Sequence, residues 1–131
     1  MTREDYQGRV FFLRWCRALG FALSADTIGN LFVLRPGTDP HRPVVLTGSH
    51  LNTQPHGGRY DGAYEVLAGL EVLQTLEENA VQTKAPMGVA VWTNEEGSRF
   101  PYPTLGSSVF SGTLPLNDAL ALTDSAEIIK E

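Results

Sequence analysis

The chain has 131 residues, 42% of them hydrophobic and 19% charged, so it has enough apolar side chains for one folded domain and too many for a disordered tail. Ten basic residues against fifteen acidic ones leave a net charge of −5, which argues against a surface that follows nucleic-acid phosphates. The single cysteine excludes an intrachain disulfide framework, and no apolar run approaches the ~20 residues of a membrane span. These observations predict a soluble, cytoplasmic domain with no nucleic-acid partner and no membrane partner.

Hydrophobic periodicity and turn residues divide the chain into helices and strands. The predicted elements, in chain order, are a helix from Thr2 to Gly20, strands at 21–25, 31–35 and 44–46, a helix from Asp61, a strand at 87–92, and short helices near 105–110, 116–122 and 125–130. A strand, a helix and a strand in succession favour a right-handed crossover between parallel strands. The order therefore predicts the α/β class, with a mixed, mainly parallel sheet and flanking helices.

Polar side chains follow two of the apolar strands. His50 and Asp61 come after the third strand, and Glu95 and Glu96 come after the fourth. Because the carboxyl ends of neighbouring parallel strands meet at one edge of a sheet, we expect these four residues to lie together. Imidazole nitrogen and carboxylate oxygen are both ligands for divalent metals such as zinc. Adjacent glutamates point apart, so one can bind a metal while the other carries a proton.

Each of these residues also has a purely structural explanation. A histidine at a strand end is more often hydrogen-bonded within the fold, Asp61 is a suitable helix N-cap, and Glu95-Glu96 is typical of a solvated turn. The other histidines and two arginines of these loops are expected at the surface, with a substrate carboxylate as the alternative role for the arginines: His41, His56, Arg59 and Arg99.

Two long motifs and several shorter ones carry a family resemblance. The long motifs are residues 47–62, TGSHLNTQPHGGRYDG, and residues 92–100, WTNEEGSRF; the shorter ones are IGNLF, VLAGLE, LGSSVFSG and ALTD. Together they resemble the amidase, hydantoinase and carbamoylase branch of the M20 metallopeptidase-like hydrolases, over nearly the whole chain. The resemblance implies a hydrolase of C–N bonds in linear amides and amidines, with small N-carbamoyl or ureido substrates. The residues of the two long motifs are most similar to those of N-carbamoyl-L-amino-acid amidohydrolases.

The resemblance also implies residue roles. His50 would bind one of two divalent ions (zinc, manganese or cobalt), Asp61 would bridge both, and Glu96 would bind the second. Glu95 would be the general base that takes a proton from the attacking water and passes it to the leaving nitrogen. Asn52 stands where the family usually has an aspartate that orients the imidazole. We expect a weaker metal site as a result, because an amide brings no negative charge.

The family pattern extends beyond the residues given. It has two further histidine ligands and an inserted lid and dimerisation domain downstream of the glutamate pair. Residues 1–131 are therefore expected to be the N-terminal part of a zinc-exopeptidase-like catalytic domain, with an incomplete ligand set and no activity alone; full-length members are expected to be homodimers. Two alternatives are a non-catalytic remnant that pairs with another chain through an exposed sheet edge, and an M20 aminoacylase or peptidase.

Overall fold

The computed structural model describes residues 2–54 and 56–124, and in this part of the chain it contains four helices and four strands. In chain order they are α1 (Arg3–Ala18), β1 (Ala22–Ala25), β2 (Leu31–Arg35), β3 (Val45–Ser49), α2 (Ala63–Glu78), β4 (Met87–Val91), α3 (Leu105–Phe110) and α4 (Leu116–Leu120). The predicted elements agree with these bounds to within a few residues. The helix expected near 125–130 lies outside the described residues.

The four strands form one mixed sheet in the order β1-β2-β4-β3. β1 and β2 are an antiparallel hairpin, β2 pairs antiparallel with β4, and β4 pairs parallel with β3. The α/β class with a mixed sheet and flanking helices is confirmed. One of the three described strand pairs is parallel, however, so the sheet is less parallel than predicted. The reason is that β2, the second strand of the hairpin, lies between β1 and β4 and runs antiparallel to both.

One face of the sheet carries the hydrophobic core, beneath α1 and α2. The predicted stripe of α2 supplies Val66, Leu70 and Leu73, whereas Leu67 is 41% exposed. Gly69 allows α2 to approach the sheet closely, since a Cβ there would lie 2.9 Å from Thr47 Cγ2. The other buried residues of the cluster come from α1, the following loop, β2 and β4: Phe12, Cys16, Phe21, Val33, Val89 and Val91. No helix within the described ranges is long and apolar enough to cross a bilayer.

The chain's single cysteine gives the core a pH dependence. Burial raises the pKa of the Cys16 thiol to about 11, from an ordinary value of 9.0. The unfolded chain therefore loses this proton first as the pH rises, and the folded state loses stability between about pH 9 and pH 11. The full loss is at most about 3 kcal/mol, since one pKa unit corresponds to about 1.4 kcal/mol.

We expect the urea-unfolding free energy of the wild-type chain to fall relative to that of Cys16→Ala between pH 8 and pH 11. The variant starts from a lower stability, because it leaves a small cavity, but it lacks the thiol titration. A constant difference between the two chains across this range would show that burial does not perturb the thiol.

Candidate metal centre

The parallel pairing of β3 with β4 builds the candidate site. Ser49 is opposite Val91 at the carboxyl ends of the two strands, and His50 follows directly after β3. Glu95 and Glu96 lie in the turn that follows β4. One ligand atom from each of these three residues lies within 4.8 Å of the others. The predicted meeting of His50 with the glutamate pair is therefore confirmed, while the role of each residue stays a prediction.

The imidazole of His50 is buried and held in one orientation. Its Nδ1 donates a hydrogen bond to the main-chain oxygen of Asn52 at 2.7 Å. Because a carbonyl oxygen only accepts, Nδ1 carries the hydrogen, and in the neutral ring Nε2 has a free lone pair. That Nε2 lies 3.2 Å from Oε2 of Glu95. Two lone pairs at this distance repel each other unless a proton or a cation lies between them.

Gly62 fixes the ring from one side. A Cβ at this position would lie 2.4 Å from Cε1 of His50 and 2.5 Å from both ring nitrogens, so only glycine leaves room for the imidazole. The glycine also has a φ of +75°, which side-chain-bearing residues rarely adopt. The start of α2 and the first candidate ligand are therefore packed against each other.

One carboxylate oxygen of Glu96 is available to the site, and the other is hydrogen-bonded to Gln54. Its Oε2 accepts a hydrogen bond from Nε2 of Gln54 at 3.0 Å. Its Oε1 is buried and has no hydrogen-bond partner among residues 2–54 and 56–124. An unpaired buried carboxylate oxygen is costly, and a cation would satisfy it. Glu96 thus has one oxygen held in place and one available as a ligand.

Asp61 is placed differently from the three residues that meet. Its side chain is exposed and lies outside the group, so its predicted role as a bridging ligand stays a prediction. The alternative role as helix cap is wrong, because α2 begins after Gly62, which occupies the N-cap position. Asp61 nevertheless adjoins the glycine that contacts the ring of His50, so the chain brings it to the rim of the site.

Asn52 contacts His50 through its main chain and not through its side chain. The hydrogen bond that orients the imidazole is donated by Nδ1 and accepted by the main-chain oxygen of residue 52, which any amino acid supplies. The side-chain Oδ1 of Asn52 is buried without a hydrogen-bond partner in the described part of the chain. The expected loss of metal affinity at this position stays a prediction.

The remaining polar loop residues are divided between the surface and other contacts. His41, His56 and Arg59 are exposed, as expected, and Arg99 forms an ion pair with Asp124. The sequence argument missed Gln54 and Gly62, although both lie in the motif that contains His50. A glycine at the second position of the helix predicted from Asp61, where glycine is disfavoured, was the available signal for Gly62.

The fold has close counterparts among known proteins, although no protein-family model matches the chain. A hydantoinase/carbamoylase family amidase from Burkholderia ambifaria superposes with a TM-score of 0.92 at 53% identity, covering 95% of this chain and 30% of that chain. The N-carbamoyl-L-amino-acid amidohydrolase of Rhizobium meliloti is 45% identical over 124 residues, with coverage of 95% and 30%. The chain is a homologue of the hydantoinase/carbamoylase-family amidases.

The relatives of the chain differ in their names and exceed it in length. The allantoate amidohydrolase of Bacillus subtilis is 36% identical over 127 residues, which are 97% of this chain and 31% of that protein. The chain thus spans about 30% of the length of the hydantoinase/carbamoylase relatives it matches. The resemblance inferred from the motifs is confirmed.

The contact between Gly62 and His50 predicts a specific effect of Gly62→Ala. The added methyl group displaces the imidazole and breaks its hydrogen bond to Asn52, so NMR of the ring nitrogens should no longer show a single Nδ1–H tautomer. Gly112→Ala is the matched control, because Gly112 has a φ of +76° and nothing within 4 Å of its Cβ position. A ring spectrum that Gly62→Ala leaves unchanged would refute the contact.

Proposed function

We propose that this chain carries part of the active site of a metal-dependent amidohydrolase that cleaves non-peptide C–N bonds in linear amides or amidines. The observation that carries the proposal is the convergence of His50, Glu95 and Glu96 within 4.8 Å at the carboxyl ends of β3 and β4. The names of the homologous amidohydrolases support the reaction class.

The residues at this edge fit a divalent cation. One imidazole nitrogen and two carboxylates are ligands that zinc, manganese and cobalt accept. Nε2 of His50 lies 3.2 Å from Oε2 of Glu95, a distance at which a proton or a cation lies between the two atoms, and Glu96 Oε1 is buried without a hydrogen-bond partner in the described part of the chain. A divalent cation bound among these atoms would satisfy the Glu96 oxygen and take the place of the proton between His50 and Glu95. His50 would bind through Nε2 and Glu96 through Oε1, and we propose that Asp61 would bridge to a second ion.

Each residue then has a separate task in the reaction. A bound divalent ion supplies Lewis-acid polarisation of the substrate carbonyl group. Glu95, 30% exposed at its side chain, takes a proton from the attacking water and returns it to the nitrogen as the C–N bond breaks. Asn52 O and Gly62 hold the ring of His50 in place, and Gln54 holds Glu96. The glutamate pair therefore divides into a proton carrier and a ligand.

The proposed substrates are small N-carbamoyl or ureido compounds, and N-carbamoyl-L-amino acids are preferred among them. The Rhizobium meliloti relative, named for that substrate, is more similar to this chain than the allantoate amidohydrolase is, at 45% against 36% identity. The family pattern includes two further histidine ligands, whereas the described residues bring one histidine to the site. We therefore propose that the 131-residue chain alone binds metal without catalysing turnover.

A second candidate function is an interaction module that pairs with another chain. β3 is an edge strand, and its outer side pairs with no strand of the described residues. Residues 44–49 contain no charged side chain, and Val44 and Val45 are 43% and 56% exposed. Sheet edges without charges or bulges readily pair with another strand. Association through β3 is compatible with metal binding. If association were the sole function, however, the chain would not need to bind a metal.

Zinc titration of the metal-free chain by calorimetry tests the proposal. We expect the wild-type chain to bind Zn²⁺, and His50→Ala and Glu96→Gln each to weaken binding more than about tenfold, because loss of even an outer partner of a metal ligand typically costs 10–100-fold. The matched controls are His41→Ala and Glu65→Gln, which change an exposed histidine and an exposed glutamate away from the group and should leave the affinity unchanged.

The opposite results are equally informative. Zinc affinity that is the same in His50→Ala and His41→Ala would overturn the assignment of the site. Absence of zinc uptake, together with association that depends on protein concentration, would instead support the interaction module.

A further inference from the structure

Asn30 is a fully buried polar residue at the end of the β1–β2 turn. Its main-chain N–H donates to Oδ1 of Asp26 and its Nδ2 donates to Oδ2 of Asp26, both at 2.8 Å. Because a carboxylate only accepts, the amide nitrogen must face Asp26, and this assigns the opposite position to the amide oxygen. The orientation of the Asn30 side chain is thus determined by the turn itself.

The same amide joins the two ends of the loop that carries the glutamate pair. Oδ1 of Asn30 accepts a hydrogen bond from the N–H of Thr93 at 2.9 Å, and Nδ2 donates to the oxygen of Gly106 at 2.9 Å. The N–H of Gly106 in turn donates to the oxygen of Thr93 at 2.9 Å. A Cβ on Gly106 would lie 2.0 Å from Oδ1 of Asn30, so glycine permits this contact. These bonds close loop 93–106 at its base.

Hydrogen bonds within the loop connect its base to the glutamate pair. The backbone of Asn94 is left-handed, with a φ of +50°. Its side chain forms hydrogen bonds with the main chain of Phe100 and Tyr102. The main-chain oxygen of Glu95 accepts a hydrogen bond from the N–H of Thr104 at 2.6 Å. The loop that Asn30 closes at Thr93 and Gly106 is therefore also hydrogen-bonded internally on both sides of Glu95.

We propose that Asn30 is a positioning residue, whose side-chain amide fixes the base of loop 93–106 and so aligns Glu95 and Glu96 with His50. Asn30 is 63 residues from Thr93 and 76 from Gly106 along the chain, so the contact joins separate segments. The inference rests on the proposed function where it concerns metal affinity, but the alignment itself is a property of the metal-free chain. A merely structural asparagine would stabilise the fold without affecting the geometry of the glutamates.

The test compares Asn30→Ala with Leu73→Ala, which destabilises the fold by removing a buried core side chain on α2, outside loop 93–106. Unfolding by urea, amide NMR of the metal-free chain and zinc titration are measured for both variants. We expect both to lose stability. Only Asn30→Ala should shift the amide resonances of Glu95 and Glu96 and weaken zinc binding, by about 10–100-fold.

Unchanged glutamate resonances and unchanged zinc affinity in a folded Asn30→Ala chain would overturn the inference. If that variant does not fold, hydrogen exchange of the wild-type chain decides. The amides of Thr93 and Gly106 should then open with the same free energy as that of Asn30, and much faster exchange at Thr93 would contradict the clamp. If the wild-type chain fails to bind zinc, the proposed function fails, while the resonance and exchange measurements still decide the role of Asn30.

Discussion

The parallel pairing of β3 with β4 is the constraint on which the rest of the candidate site depends. It places Ser49 opposite Val91, and the main-chain bond from Trp92 N–H to Ser49 O at 2.7 Å continues the pairing just beyond the strand ends. The residues that follow the two strands therefore begin at the same level. Without this register, His50 and the glutamate pair would have no common position, whatever their individual chemistry. α2 is the helix of the crossover that connects the two strands. Gly62, just before this helix, also limits where the imidazole can lie.

Around this register, the fold brings an imidazole nitrogen and carboxylate oxygens together and restrains them. The main-chain oxygen of Asn52 determines which nitrogen of His50 carries a hydrogen, Gln54 occupies one oxygen of Glu96, and Asn30 clamps the loop behind both glutamates. Such an arrangement is costly without a positive charge, because two carboxylates lie close together and the buried Oε1 of Glu96 has no hydrogen-bond partner in the described part of the chain. It becomes favourable when a cation is present. The restraints therefore suit the proposed cation site.

Much of this could be predicted from the sequence, and the remainder could not, for physical reasons. Apolar periodicity and turn residues are local properties, so they predicted the bounds of the elements and the sheet edge where His50 meets Glu95 and Glu96. The position of β2 beside β4 depends on the packing of the whole sheet, which no local pattern describes. The contacts from Gln54 to Glu96 and from Asn30 to Thr93 span 42 and 63 residues, and they exist only after the loops have docked. The exposure of Asp61 was equally invisible to a spacing argument.

The most direct test of the central claim, that His50 and the glutamate pair form a site for a divalent cation, is zinc X-ray absorption of the chain loaded with one equivalent of Zn²⁺. The account predicts nitrogen and oxygen ligands at about 2.0–2.2 Å, with an imidazole contribution that disappears in His50→Ala. A sulfur ligand at about 2.3 Å would instead point to Cys16, the chain's single cysteine, which lies in the core. That result, or an imidazole contribution that persists in His50→Ala, would contradict the account.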